Sequence, residues 1–206
     1  MRLFSYLPLA GTLLLAAIVF IWRPWLQRRR HGSSGVLLFR GGAAQKARDG
    51  MGLVLIVLLI GQALVGAAWP ETLPLAEADL RPGTGVRPVL GAVLLFGGLV
   101  LLVAAQLNLG ASWRIGIEED ARPGLVTDGL YRFCRNPIFL ALLVFLAGNA
   151  LLLPTLLSAL MLIGAYLAIR QQIAEEERYL VRTYGEQYLQ YARRVGRLLP
   201  GIGKLD

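Results

Sequence analysis

With 206 residues, 56% of them hydrophobic, and a mean hydropathy of +0.58, the chain is too apolar for an ordinary water-soluble domain and long enough for one folded unit. Its formal net charge of +8 does not indicate nucleic-acid binding, because the basic residues flank apolar runs, where membrane topology accounts for them. The single cysteine, Cys134, excludes an intramolecular disulfide, and no ligand spacing for a metal is present.

Apolar runs over 3–22, 51–69 and 89–107 are each near the ~20 residues that cross a hydrocarbon core. Two shorter runs, 138–153 and 155–169, meet at Pro154 and predict a short helical hairpin. The expected fold class is therefore all-α: a polytopic membrane protein with about five transmembrane helices and a helical C-terminal tail. The first run could be read as a secretory signal, but it lacks a small-residue cleavage pattern and its positive charge follows it, in "RPWLQRRRH"; a retained helix is expected. Of the 21 Lys and Arg residues, all but Arg2, Arg81 and Arg87 fall in 23–50, 110–137 or 170–206. The positive-inside rule then places the N-terminus outside and the C-terminus in the cytoplasm, with the inner (plasma) membrane of a prokaryote as the expected location.

Between the third span and the hairpin lies "LGASWRIGIEEDARPGLVTDGLYRFCRNP", richer in glycine, aromatic and charged residues than a connector requires. It reads as a site lining, with Trp113 and Tyr131 offering flat apolar faces with a polar edge; an interfacial aromatic belt is the other reading of Trp113. Cys134 reads as a small packing residue, and His31 as solvated in a basic loop. "GTG" at 83–85 follows no strand and lacks a third glycine, so it is no phosphate loop. After the hairpin, Glu177, Tyr184, Tyr188 and Tyr191 fall on one helical face at offsets of seven, eleven and fourteen, with Gly185 a candidate interruption. Glu175, Glu176 and Glu177 leave a membrane helix on the leaflet where acidic lipids repel them, so they call for a cation: Arg170, Arg178, Arg194 or a positively charged ligand.

The ordered motifs "LVTDGLYRFCRNP", "EERYL" and "YGEQYLQYARRV", closed by Pro200, resemble the membrane methyltransferase family that includes isoprenylcysteine carboxyl methyltransferases and phospholipid N-methyltransferases. The resemblance covers about 109–200 and divides the chain into N-terminal membrane helices with a basic loop, 1–108, and a methyltransferase-like region, 109–206. It implies S-adenosylmethionine as cofactor, held where the loop, the hairpin and the tail meet. Carried over by position, Leu125, Val126, Gly129, Tyr131, Arg135, Asn136, Pro137, Tyr184, Tyr188 and Tyr191 are the cofactor-binding candidates. Arg170, Glu176, Glu177 and Arg194 are the catalytic ones. Asn136 stands where histidine is usual, Phe139 where tyrosine is common, Ala141 where glycine is common and Gly196 where proline often follows the valine. Asn136 can donate and accept hydrogen bonds but cannot become cationic.

The function implied is methyl transfer to a lipophilic acceptor, a prenylcysteine-like carboxylate or a phospholipid amine, in a membrane-embedded enzyme without metal or nucleic-acid partners. Two alternatives stand beside it. One is a sterol-type membrane reductase using reduced nicotinamide dinucleotide phosphate; the other is a non-catalytic membrane scaffold. The acceptor, the methylated atom and the oligomeric state are open at this point.

Overall fold

The computed structural model describes residues 3–36, 38–39, 42–69, 72, 85–113 and 124–205. Arg2, Arg40, Arg81, most of "GTG" and residues 114–123 of the polar stretch lie outside the described residues. Among the described residues seven α-helices follow in order: α1 (Leu3–Ala16), α2 (Arg23–His31), α3 (Ala43–Ala68), α4 (Val86–Leu109), α5 (Pro137–Leu152), α6 (Leu156–Tyr184) and α7 (Glu186–Arg194). Four helical stretches among the described residues are long and apolar enough to cross a membrane: Ser5–His31, Gln45–Ala68, Val86–Ser112 and Leu156–Tyr184. Pro137–Leu152 is apolar but shorter. The molecule is an all-α polytopic membrane protein.

Two expectations change. The first span does not stop at 22. A π-helical segment, Ala17–Trp22, joins α1 to α2, and the Arg23 N–H reaches back to the Ile18 carbonyl. Pro24 has no N–H to donate and its ring crowds the preceding turn, so the wider π turn carries the helix past it. Arg23 consequently lies in helix rather than loop; it is 2% exposed, donates to the carbonyls of Gln106 (3.2 Å) and Gly110 (2.8 Å), and stacks on Trp113 at 4.7 Å. The first of these bonds satisfies a carbonyl in the last turn of α4, where intrahelical donors run out. The hairpin, in turn, is asymmetric. α5 has 16 residues and α6 has 29, because the charged stretch after Ile169 continues the same helix. At ~1.5 Å per residue α6 extends well beyond a ~30 Å hydrocarbon core and lifts its acidic residues to the polar end.

Close helix packing in lipid rests on small residues, since hydrocarbon removes most of the hydrophobic drive. The α4–α5 pair shows this. A Cβ on Gly98 would lie 2.7 Å from the Phe145 amide nitrogen, and one on Gly91 would lie 2.9 Å from Leu152 Cγ. Gly148 is pressed as tightly against the Leu95 backbone. Around this seam Leu15, Leu59, Leu95, Leu99, Leu102, Phe145 and Met161 form the core. Ala141, buried against Gly98, is part of it. Helices α3 and α6 are joined near their far ends, where Gln62 Nε2 donates to Thr155 Oγ1 (3.0 Å) and Ser158 Oγ (2.5 Å).

Candidate active site

A cavity of about 820 Å³ lies among α1, α3, α5 and α6 and reaches the turn at 124–131 and helix α7. Its size suits a drug-sized or larger ligand. One end is oily, walled by Leu15, Val19, Leu55, Leu59, Phe145 and Met161. The other is polar and aromatic, walled by Tyr131, Glu176, Glu177, Tyr184, Tyr188 and Tyr191, with Trp113 beside them.

Gly185 creates the polar end. Its φ of +52° breaks the helix between α6 and α7, a conformation glycine adopts without Cβ strain. The chain turns there and brings Tyr188 and Tyr191 back over Glu177. Their rings meet edge to face at 6.1 Å, and Tyr191 Oη donates to the Tyr131 carbonyl at 2.6 Å. Burial disfavours the phenolate, so all three hydroxyls stay protonated well above their usual range, Tyr188 being pushed up to about 12. They serve as neutral donors and aromatic surfaces. On the other side Gly129, at φ +59°, forms a turn whose backbone abuts the Asn108 side chain; Asn108 Oδ1 accepts from the Leu130 N–H at 2.7 Å. That contact fixes the 124–131 segment to the end of α4.

Behind the tyrosines lies a buried ion triad. Arg135 Nη2 donates to Glu177 Oε1 at 2.6 Å and to the Gly203 carbonyl at 3.0 Å, while Nη1 donates to the carbonyls of Ala192 (2.7 Å) and Val195 (2.6 Å). Arg197 holds the same carboxylate through Nε (3.1 Å) and Nη2 (2.5 Å), and its bonds to Glu177 raise the guanidinium pKa further. The backbones run together as well: the Arg135 N–H donates to Gly196 O and the Asn136 N–H to Arg197 O. Asn136 Nδ2 adds a bond to that Arg197 carbonyl at 3.0 Å. Gly196 is obligatory here, since a Cβ would collide with the Leu199 carbonyl oxygen. Residues 195–203 therefore form a strap tied down by Arg135.

Of the residues singled out by sequence, Leu125, Val126, Tyr131, Arg135, Asn136, Glu176, Glu177, Tyr184, Tyr188 and Tyr191 line the cavity. Gly129 and Pro137 do not; they shape the turn and open α5 at its first position. Arg170 and Arg194 lie outside the wall and are exposed. Arg170 sits over the Tyr166 ring and Arg194 bonds the Gln190 carbonyl, one turn back along its own helix. The cationic partners of the acidic run also differ from those expected. Arg48 meets Glu175 at 2.6 Å, Arg135 and Arg197 hold Glu177, and Glu176 accepts from Gln172 at 2.9 Å; Arg178 instead donates to the Ala174 carbonyl. Trp113, 3% exposed under Arg23, is a lining residue and not an interfacial belt. Cys134 is buried, and burial pushes its thiol pKa up, in keeping with packing. Sequence reasoning missed Arg48, Arg197 and Gln106. The first two were absorbed into the topological charge count, whereas Gln106, polar within an apolar span, carried the signal that marks intramembrane polar residues.

The cavity thus joins an oily trunk to an acidic, aromatic head within a membrane protein. The family model described as phospholipid methyltransferase matches residues 86–187. Protein-S-isoprenylcysteine O-methyltransferase A of Arabidopsis thaliana is 31% identical over 115 residues, 54% of this chain and 58% of its own. The Schizosaccharomyces pombe isoprenylcysteine O-methyltransferase is 34% identical over 108 residues, 51% of this chain and 46% of its own. The structure of a eukaryotic intramembrane Ras methyltransferase, an isoprenylcysteine carboxyl methyltransferase, superposes with a TM-score of 0.56 at 17% identity. That match covers 96% of this chain and 63% of the other, and it shows the shared fold. This chain is thus similar to isoprenylcysteine and phospholipid methyltransferases over about half of its length, and its fold matches that solved structure. It spans about half the length of the curated relatives it matches.

Proposed function

We propose that the protein transfers a methyl group from S-adenosylmethionine to a lipophilic acceptor, with a prenylcysteine-like carboxylate as the first acceptor class. The single observation that carries this reading is the amphiphilic cavity, whose acidic and aromatic head is continuous with an oily trunk. The residues present suit the cofactor: Glu176 and the faces of Tyr131, Tyr184 and Tyr188 favour a sulfonium cation, and the half-buried Leu125 and Val126 give an apolar edge for its base. When bound, the cofactor supplies an electrophilic methyl whose transfer cancels the sulfonium charge.

The chain's own part is to bind, align and exclude water. Region 109–206 supplies the cofactor head, and α1 and α3 of region 1–108 complete the oily trunk. Arg135 acts through the strap, holding α7 and its tyrosines over the head. Of the two glutamates in the cavity wall, Glu177 is held by arginines, whereas Glu176 accepts from the Gln172 amide and is the one placed to face a cation or to accept a proton from an amine acceptor. Alignment of acceptor and donor in such an enclosed site accounts for up to ~7–11 kcal/mol of barrier lowering in favourable reactions. The basic flanks support a cytoplasmic side for this head, with the N-terminus outside.

The phospholipid-amine acceptor is favoured by one finding, the family model over 86–187. Calorimetric titration of detergent-solubilised protein tests the cofactor: S-adenosylmethionine and S-adenosylhomocysteine are expected to bind, and reduced nicotinamide dinucleotide phosphate is not. Binding of the nicotinamide alone would favour the reductase, and binding of none the scaffold. Transfer of labelled methyl to S-farnesylcysteine derivatives and to phospholipid extract then separates the two acceptors. Acceptors with longer alkyl chains should show higher kcat/KM; activity confined to water-soluble acceptors would refute the lipid reading.

A further inference from the structure

Two guanidinium groups stand in the described cavity wall, those of Arg135 and Arg48. Arg135 is consumed by one carboxylate and three carbonyls. Arg48 is differently placed. Its Nη1 lies 2.6 Å from Glu175 Oε2, yet the contact is not aligned as a hydrogen bond, and this buried nitrogen has no directional acceptor. Glu175 itself is not part of the wall. Arg48 therefore reaches from the cavity to a carboxylate outside it. The two side chains are 17% and 23% exposed, and partly hydrated pairs of this kind are held weakly enough to exchange partners.

The position of Arg48 on α3 gives the exchange a direction. Arg48, Gly52, Leu55 and Leu59 all line the cavity, and their offsets of four, seven and eleven place them on one helical stripe. Arg48 heads ~16 Å of apolar wall at 1.5 Å per residue. An amphiphile lying along that stripe brings its head to the guanidinium, whose planar fork pairs with carboxylate or phosphate through two parallel hydrogen bonds. Arg48 also lies outside the stretch 86–187 that matches the family model.

We propose that Arg48 recognises an anionic head group on the lipophilic acceptor, leaving Glu175 to do so. The proposal rests on the functional reading above, and it assigns to the N-terminal half a share in choosing the acceptor. Glu175 acts as a placeholder that neutralises Arg48 while the cavity is empty of acceptor. Carboxylate and phosphate heads satisfy the same chemistry.

The test uses the full chain in neutral detergent, without cofactor, titrated calorimetrically with dodecanoate, dodecyl phosphate and dodecanol. Wild type is expected to bind at least one anion tenfold or more tightly than the alcohol, and the stronger anion identifies the head-group class. Arg48→Gln should abolish that preference, and Arg48→Lys should restore part of it. Glu175→Gln should strengthen anion binding at least twofold, because a competitor is gone. A structural strut predicts the contrary: Arg48→Gln and Glu175→Gln would weaken binding of all three probes alike. That outcome, or equal binding of alcohol and anions by wild type, overturns the proposal. In a parallel assay S-adenosylmethionine affinity should change less than the anion preference in all three variants, and a shift confined to the cofactor would also overturn the proposal. Absence of methyl transfer to any lipid by wild type would remove the functional reading while leaving the probe-binding result intact.

Discussion

Arg135 illustrates how one side chain can serve a site without facing its ligand. Its guanidinium joins α6, α7 and the strap through four hydrogen bonds, with 2% of the side chain exposed. Removing one partner of a buried ion pair leaves an uncompensated charge and costs ~3–5 kcal/mol. Arg135→Ala is expected to destabilise the protein by that order, read as a lowered unfolding midpoint in detergent, because Glu177 keeps only the part-exposed Arg197. Arg135→Lys should recover little, since an ammonium cannot serve a carboxylate and three separate carbonyls in the same plane. Full stability of Arg135→Ala would show that the strap is held by its backbone bonds alone. Asn136 fits the same account: with its amide bonded to the Arg197 carbonyl, it stabilises the strap without needing the charge that histidine could carry.

At the scale of elements, the seam between α4 and α5 sets the frame on which the cavity is built. Gly98 has no room for a side chain against Phe145, and the two helices are both predominantly apolar. Gly98→Leu is expected to separate them, lowering thermal stability and opening the Phe145 wall, while Gly97→Leu, a position with no neighbour within 4 Å, should be tolerated. Equal behaviour of the two variants in a thermal melt would refute the seam. The break at Gly185 works in the opposite sense, ending one element so that the next can fold back. Helical spacing grouped Glu177, Tyr184, Tyr188 and Tyr191 correctly, but the structure gathers them through a turn and not through one uninterrupted helix.

For the whole molecule, burial of three phenols makes a statement about pH. Tyr131, Tyr188 and Tyr191 all have folded-state pKa values raised above the ~10 of an exposed tyrosine, first of all by loss of hydration. The unfolded chain releases these protons first, so stability is full below pH 10 and falls as pH rises from there toward 12 and beyond. The expected result is that three of the seven tyrosines withhold their tyrosinate absorbance until the protein unfolds at alkaline pH. Tyrosinate absorbance from all three while tertiary structure persists would contradict it. Much of the architecture was legible in the sequence because lipid demands long apolar runs and because glycine and tyrosine positions repeat a recognisable pattern. The extension of the first helix through Arg23 was not, since a buried arginine satisfied by carbonyls 83 and 87 residues away looks in sequence like any flanking charge. Arg48 and Arg197 were hidden for the same reason: a charge count assigns basic residues to a leaflet but not to a partner.

The strap gives the site an order of assembly. Val195, Gly196, Arg197 and Gly203 supply the contacts that hold Arg135, Asn136 and Glu177 behind the cavity's polar end, whereas the membrane helices that form its trunk precede them in the chain. Translation must pass Gly203 before Arg135 has its full set of acceptors. Until then Arg135 lacks the carbonyl that Gly203 supplies, and its set of acceptors is completed by a stretch of fewer than a dozen residues.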